Sequence, residues 1–140
     1  MIRMGADFTA ELLLRFYREP SRFRGEARRR DAPPADNEVI LKLALGRQIE
    51  FADPALNETG TLVALKEAAA LYVRHVFFRP DATPYQILGL RPGASAPAIK
   101  ERFRLLMHLV HPDRQDADNA WPESLAALAN RAYGVLRDQE

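Results

Sequence analysis

The chain has 140 residues, of which 47% are hydrophobic and 28% charged, the balance of a globular protein rather than a disordered or fibrous one. Its formal net charge is +1, so no global electrostatic pull toward nucleic acid or an anionic membrane is built in. It has no cysteine, which excludes disulfides, thiolate zinc sites and iron–sulfur clusters and fits a reducing compartment.

The length suits one domain of ordinary size or two small ones. Lys66, Glu67 and Arg74 interrupt the most apolar stretch, so no transmembrane helix is expected. Asp7, Glu11 and Arg15 break up any secretory pattern at the N-terminus, and the expected location is the cytoplasm. No internal repeat or low-complexity tract stands out.

The first 79 residues read as three helices. Thr9 is placed to cap a helix from Ala10 to about Arg18, with Leu12, Leu13, Phe16 and Tyr17 on its apolar side and Pro20 ending it. Ser21 to Ala35 is Arg-rich, contains Gly25, Pro33 and Pro34, and reads as a linker or long loop. Its arginines, Arg22, Arg24, Arg28, Arg29 and Arg30, are interspersed with the acidic Glu19, Glu26 and Asp31 and have only Phe23 as an aromatic neighbour. A solvated loop is expected there, not a nucleic-acid arm. Asn37 is read as the cap of a second helix, Glu38 to Leu45, with Gly46 at the C-terminal stop and Pro54 in the following loop. A third helix spans roughly Thr61 to Phe78, with Leu62, Leu65, Ala69, Tyr72, Val73 and Val76 at helical spacing. Pro80 and Pro84 bracket the break that follows. The expected division is residues 1–79 and 81–140.

Three more helices are expected beyond it. Thr83 followed by Pro84 is a cap with proline at the first helical position, opening a short helix through Tyr85, Ile87 and Leu88 that stops at Gly89. Ser95 caps the next helix, with Pro97 in its first turn; it runs to about Val110 and Pro112 ends it. A polar loop, Arg114 to Asn119, leads to a last helix from Trp121 or Pro122 to Arg137, its cap being Asp118 or Asn119. No strand pattern occurs, so the fold class is all-α.

The Ser95–Val110 helix is the most informative element. Ile99, Phe103, Leu106 and Val110 share one apolar stripe, with Met107 at its edge. Lys100, Arg104, His108 and His111 form a second, basic ridge, which leads to His111, Pro112 and Asp113 at the helix end. Leu105 and Leu109 lie on a third face and need an apolar partner, for which the N-terminal helices are the expected source. His108 and His111 stand three apart with Asp113 near, but solvent-facing histidines are the expected reading and no metal or other cofactor is called for.

Several blocks of this region resemble the J-domain of DnaJ-type co-chaperones. They are Pro84-Tyr85 with Leu88-Gly89-Leu90, Ala94-Ser95, Ile99-Lys100 with Phe103-Arg104 and Leu106, His111-Pro112-Asp113-Arg114, and Asn130 with Ala132-Tyr133 and Val135-Leu136. The likeness runs from about Asp81 to Asp138. The resemblance implies two long antiparallel helices braced by a short first one, with the His-Pro-Asp (HPD) motif at the tip. It implies a protein that is not an enzyme but docks on a DnaK-type (heat-shock 70 kDa) chaperone and stimulates its ATP hydrolysis. In that picture Asp113 makes a charge-assisted hydrogen bond to an arginine of the chaperone, His111 contacts the same interface, and Pro112 fixes the turn. Lys100 and Arg104, with Arg102 and Arg114 beside them, dock electrostatically. Tyr85, Leu88, Ile99, Phe103, Leu106, Val110, Tyr133 and Leu136 form the core.

The sequence departs from the family's pattern. Leu105 and Leu109 stand where Arg or Lys is usual, thinning the basic face. Ala126 and Ala129 stand where Phe and Ile are usual, with Leu125 and Leu128 one position earlier to compensate by rotation. The family's short fourth helix, its glycine–phenylalanine-rich segment and its zinc-binding cysteines are missing, so a J-domain-only type of cofactor is expected. Trp121 is read as packing against a helix end. Two other readings compete: a degenerate J-like scaffold module, and an enzyme using His111 and Asp113 as an acid–base pair, which needs a pocket that a helix tip rarely offers. Beyond the DnaK-type chaperone, a client or adaptor engaged through residues 1–79 is expected, with no nucleic-acid or membrane partner.

Overall fold

The computed structural model describes residues 4–19, 36–111 and 121–138. These contain six α-helices and, among the described residues, no strand, so the protein is all-α. The chain forms two compact units, Met1–Val76 and Phe77–Glu140. The expected linker, Ser21 to Ala35, and the expected loop, Arg114 to Asn119, lie outside the described residues, as do the possible caps Asp118 and Asn119.

The first unit contains α1 (Met4–Arg18), α2 (Asn37–Ala44), a 3-10 turn (Pro54–Asn57) and α3 (Thr59–Tyr72). α3 packs on both α1 and α2. Ala6, Thr9, Ala10, Leu13 and Phe16 of α1 are fully buried, a stripe with the helical period. Ile40 and Leu41 of α2 and Leu65 and Ala69 of α3 are fully buried too, and Phe16 meets Tyr72 edge-on with ring centroids 5.2 Å apart.

Thr9 does not cap α1, which begins six residues earlier than expected; it lies inside the helix, and its Oγ1 accepts the Asp36 amide at 3.0 Å. A buried hydroxyl needs such a partner, and this one fixes the entry to α2. Asp36, not Asn37, caps α2, its side chain accepting the Val39 amide. The two oxygens of Asp7 accept the amides of Ala52 and Asp53, each at 2.8 Å, while Asn57 holds both the amide and the carbonyl of Phe51 at 3.0 Å. Polar side chains on α1 and the 3-10 turn thus pin the segment that joins α2 to α3. Gly46 ends α2 in the left-handed region (φ +77°), where a side chain is strained. Tyr17, expected on the apolar side of α1, is 44% exposed and donates its hydroxyl to Glu67 Oε2 at 3.1 Å. α3 continues into a π-helical turn, Val73–Phe77, within which the two units divide.

The second unit contains α4 (Pro84–Ile87), α5 (Ala96–Val110) and α6 (Glu123–Asp138). α4 opens with a complete capping box: the Thr83 hydroxyl accepts the Gln86 amide, and the Gln86 side chain accepts the Thr83 amide. Gly89 leaves it at φ +70°, and the Leu90 amide returns to the Tyr85 carbonyl at 2.8 Å. Ser95 caps α5 as expected. α6 packs against both α4 and α5.

Ile99, Leu106 and Val110 of α5 are buried, as are Leu88, Trp121 and Leu136. The expected rotation of α6 does not occur. Ala126, Ala129, Ala132 and Leu136 face inward, and Leu125 and Leu128, about 100° behind, are only half-buried. Tyr85, Phe103 and Tyr133 are also half-buried, not core. An alanine face lets another element approach closely and leaves little room for rings at the centre, so they close its edge.

Candidate functional site

Helical period alone sets the chemistry of α5's outer face. Steps of four, four and three carry Lys100, Arg104, His108 and His111 along one side. The structure brings all four to one open groove of about 630 Å³, together with Phe103, Met107 and Tyr133. Lys100 and Arg104 are exposed; His108 and His111 are half-buried.

The groove's apolar wall is a ring stack. Phe103 of α5 and Tyr133 of α6 lie nearly parallel, at 10°, with centroids 4.3 Å apart. The Arg137 guanidinium sits 5.7 Å from the Tyr133 ring centre, a cation–π distance that adds positive charge to the aromatic edge. Phe103 falls one position before Arg104, so the border between apolar stripe and basic ridge runs between adjacent residues.

His111 terminates α5. Its amide still donates to the Met107 carbonyl at 2.9 Å, but its own backbone is extended, φ −65° and ψ 131°. Pro112 follows it in the sequence, and the ring of a proline disfavours the helical conformation in the residue before it. The histidine is therefore held at the exit of the helix, at the end of the basic ridge. Pro112, Asp113 and Arg114 lie outside the described residues. Arg102 falls away from the groove and is half-buried, with Nη1 shielded from solvent. Leu105 is 5% exposed and Leu109 half-buried.

The ridge was legible from spacing; the contribution of Phe103, Met107 and Tyr133 to the same groove was not. Its signal lay in α6, where alanines at 126, 129 and 132 leave the nearby rings at the margin. Among the described residues no cluster of three or more His, Cys, Asp or Glu could hold a metal ion, and no helix is long and apolar enough to cross a membrane.

Residues 83–140 match the DnaJ domain family. The chain is similar to the chaperone protein DnaJ of Jannaschia sp. (strain CCS1), 48% identical over 56 residues, which is 40% of this chain and 14% of that protein. It matches the chaperone protein DnaJ of Clostridium perfringens at 41% over 56 residues, again 14% of that protein's length. It is also similar to human DnaJ homolog subfamily C member 8, 30% identical over 94 residues, 67% of this chain and 34% of that one. The chain thus spans well under half the length of these relatives. No solved structure matches it significantly.

Proposed function

The C-terminal part of this chain is a J-domain, and on that premise we propose that the protein is a co-chaperone that docks on a DnaK-type chaperone and stimulates its ATP hydrolysis. J-domain proteins generally partner with such chaperones. The observation that carries the proposal is the groove: Lys100, Arg104 and His108 line it in register, with His111 at the end that leads to Pro112 and Asp113.

In this reading Lys100 and Arg104 supply long-range attraction to an acidic patch, raising the rate of encounter more than the lifetime of the complex. Asp113 accepts a charge-assisted hydrogen bond from a chaperone arginine, His111 contacts the same surface, and Pro112 holds the turn. Arg114 and Arg102 add positive charge nearby. The protein performs no bond chemistry; it lowers the barrier in its partner by binding the hydrolysis-competent state more tightly. Residues 81–140 act as the docking domain and residues 1–79 select a client or adaptor. The absence of cysteine supports a cytoplasmic setting.

The test is the kinetics of docking on the ATP-bound chaperone as salt is varied. Lys100→Glu with Arg104→Glu is expected to slow association about tenfold or more at low salt, and the difference should shrink as ionic strength rises. Association that ignores both charge reversals would contradict the assigned surface. The competing scaffold reading, favoured by Leu105 and Leu109 on the thinned basic face, is separated by Asp113→Asn. A scaffold keeps its function in that variant, whereas a co-chaperone loses stimulation.

A further inference from the structure

The first unit carries a second groove, of about 790 Å³, between the end of α2, the segment after it and the outer side of α3. It plays no part in the docking site described above. Its floor is apolar. Leu43 is buried, Ile49 and Leu62 are half-buried, and Val63 is 55% exposed. A lone exposed valine is ordinary, but here it completes a run of apolar side chains inside one concavity.

Two further features say what would occupy it. Gln48, Ile49 and Glu50 line the groove in an irregular, non-helical stretch. Among the described residues, no group hydrogen-bonds to the backbone of these three. Backbone groups left unpaired in this way are what an extended chain laid along them takes up. The charge around the groove is mainly positive: Arg47 and Lys66 are exposed on it, against Glu50 alone. Lys66 lies across the end of α2, with Nζ 3.4 Å from where a Cβ on Gly46 would stand, so its charge is held at the groove's edge. Thr59, at the positively polarised start of α3, also lines it.

We propose that this groove binds an extended, acidic peptide segment of a partner protein, pairing its backbone with Gln48–Glu50, setting an apolar side chain on Leu62 and Val63, and placing carboxylates beside Arg47 and Lys66. The chain's own Arg-rich stretch between residues 21 and 35 has the wrong sign for this site. The volume accommodates a few side chains, the scale of a short peptide motif and not of a folded domain.

The test uses the full chain and three fluorescein-labelled heptapeptides. They are Glu-Asp-Leu-Val-Leu-Asp-Glu, its counterpart with lysine at every acidic position, and the acidic peptide with proline in place of the central valine. Anisotropy titration is expected to show saturable binding of the acidic peptide. The basic peptide should bind at least tenfold more weakly, and the proline peptide should be weakened by its lost donor and bent backbone. The double variant Arg47→Glu with Lys66→Glu should invert the preference between acidic and basic peptides. Val63→Ser, at an exposed position that leaves the fold intact, should weaken the acidic peptide about fivefold. Equal binding of acidic and basic peptides, no saturation by millimolar concentrations, or indifference to Val63→Ser in a variant with unchanged thermal unfolding would each overturn the proposal. The readout is independent of any chaperone, so it stands or falls apart from the co-chaperone reading.

Discussion

Thr9 and Tyr17 lie on the same helix, and each owes its role to one partner far away in sequence. The Thr9 hydroxyl is buried and accepts the Asp36 amide. Thr9→Val keeps the shape and leaves that amide without its acceptor, so it should lower stability by about 1–2 kcal/mol, read as a reduced urea midpoint. Tyr17 is exposed and donates to Glu67, and this hydrogen bond, with the carboxylate's charge, holds its phenol above the usual tyrosine range. The folded protein therefore keeps that proton more tightly than the unfolded chain does. The small contribution to stability is complete below pH ~10 and disappears as pH rises through the folded value. Alkaline titration followed by tyrosine absorbance should show a late-ionising phenol that vanishes in Tyr17→Phe. Retention of the late phase in that variant would assign it to another tyrosine. Neither partnership has a local signature. Thr9 sits before an apolar run like any helix cap, and only packing on α2 shows that it is interior.

At the scale of elements, legibility followed how local the determining physics is. The Thr83 cap of α4, the stop at Gly89, the Ser95 cap and the end of α5 at Val110 are all decided within a few residues, and all were readable. The start of α1 was misplaced because Thr9, just before an apolar run, offers a false cap; Asp7, equally able to cap, also lies inside the helix, where it accepts the Ala52 and Asp53 amides. The face of α6 was misread because its choice is between a leucine stripe and an alanine stripe, and the neighbouring helices make that choice. Since the buried line is Ala126, Ala129 and Ala132, the interface has no room for a larger side chain at its centre. Ala129→Leu should destabilise the second unit by about 1–3 kcal/mol through overpacking, whereas Leu128→Ala, at a half-buried position, should cost less. Thermal unfolding of the two variants decides the matter, and the reverse order would mean that α6 presents the leucines after all. The groove on α5 divides the same way: its basic ridge follows from spacing on one helix, while its aromatic wall needs two helices.

For the molecule as a whole, the prolines at 80 and 84 mark where the helices break, close to where the two units divide. The compact units divide between Val76 and Phe77, inside a helical segment and a few residues before Pro80, and Phe77 and Phe78 are both buried. Among the described residues the second unit carries an open groove that is basic with an aromatic wall, and the first carries one with an apolar floor. In the two proposals together, the protein recruits a chaperone with one unit and a peptide with the other. Stimulation of a DnaK-type chaperone is read without intermediaries in single-turnover ATP hydrolysis by that chaperone. The measurement compares the chaperone alone, with this protein, and with its His111→Gln variant. Acceleration by the native chain that the variant loses is the predicted result, while no acceleration by the native chain at saturating concentration would contradict it.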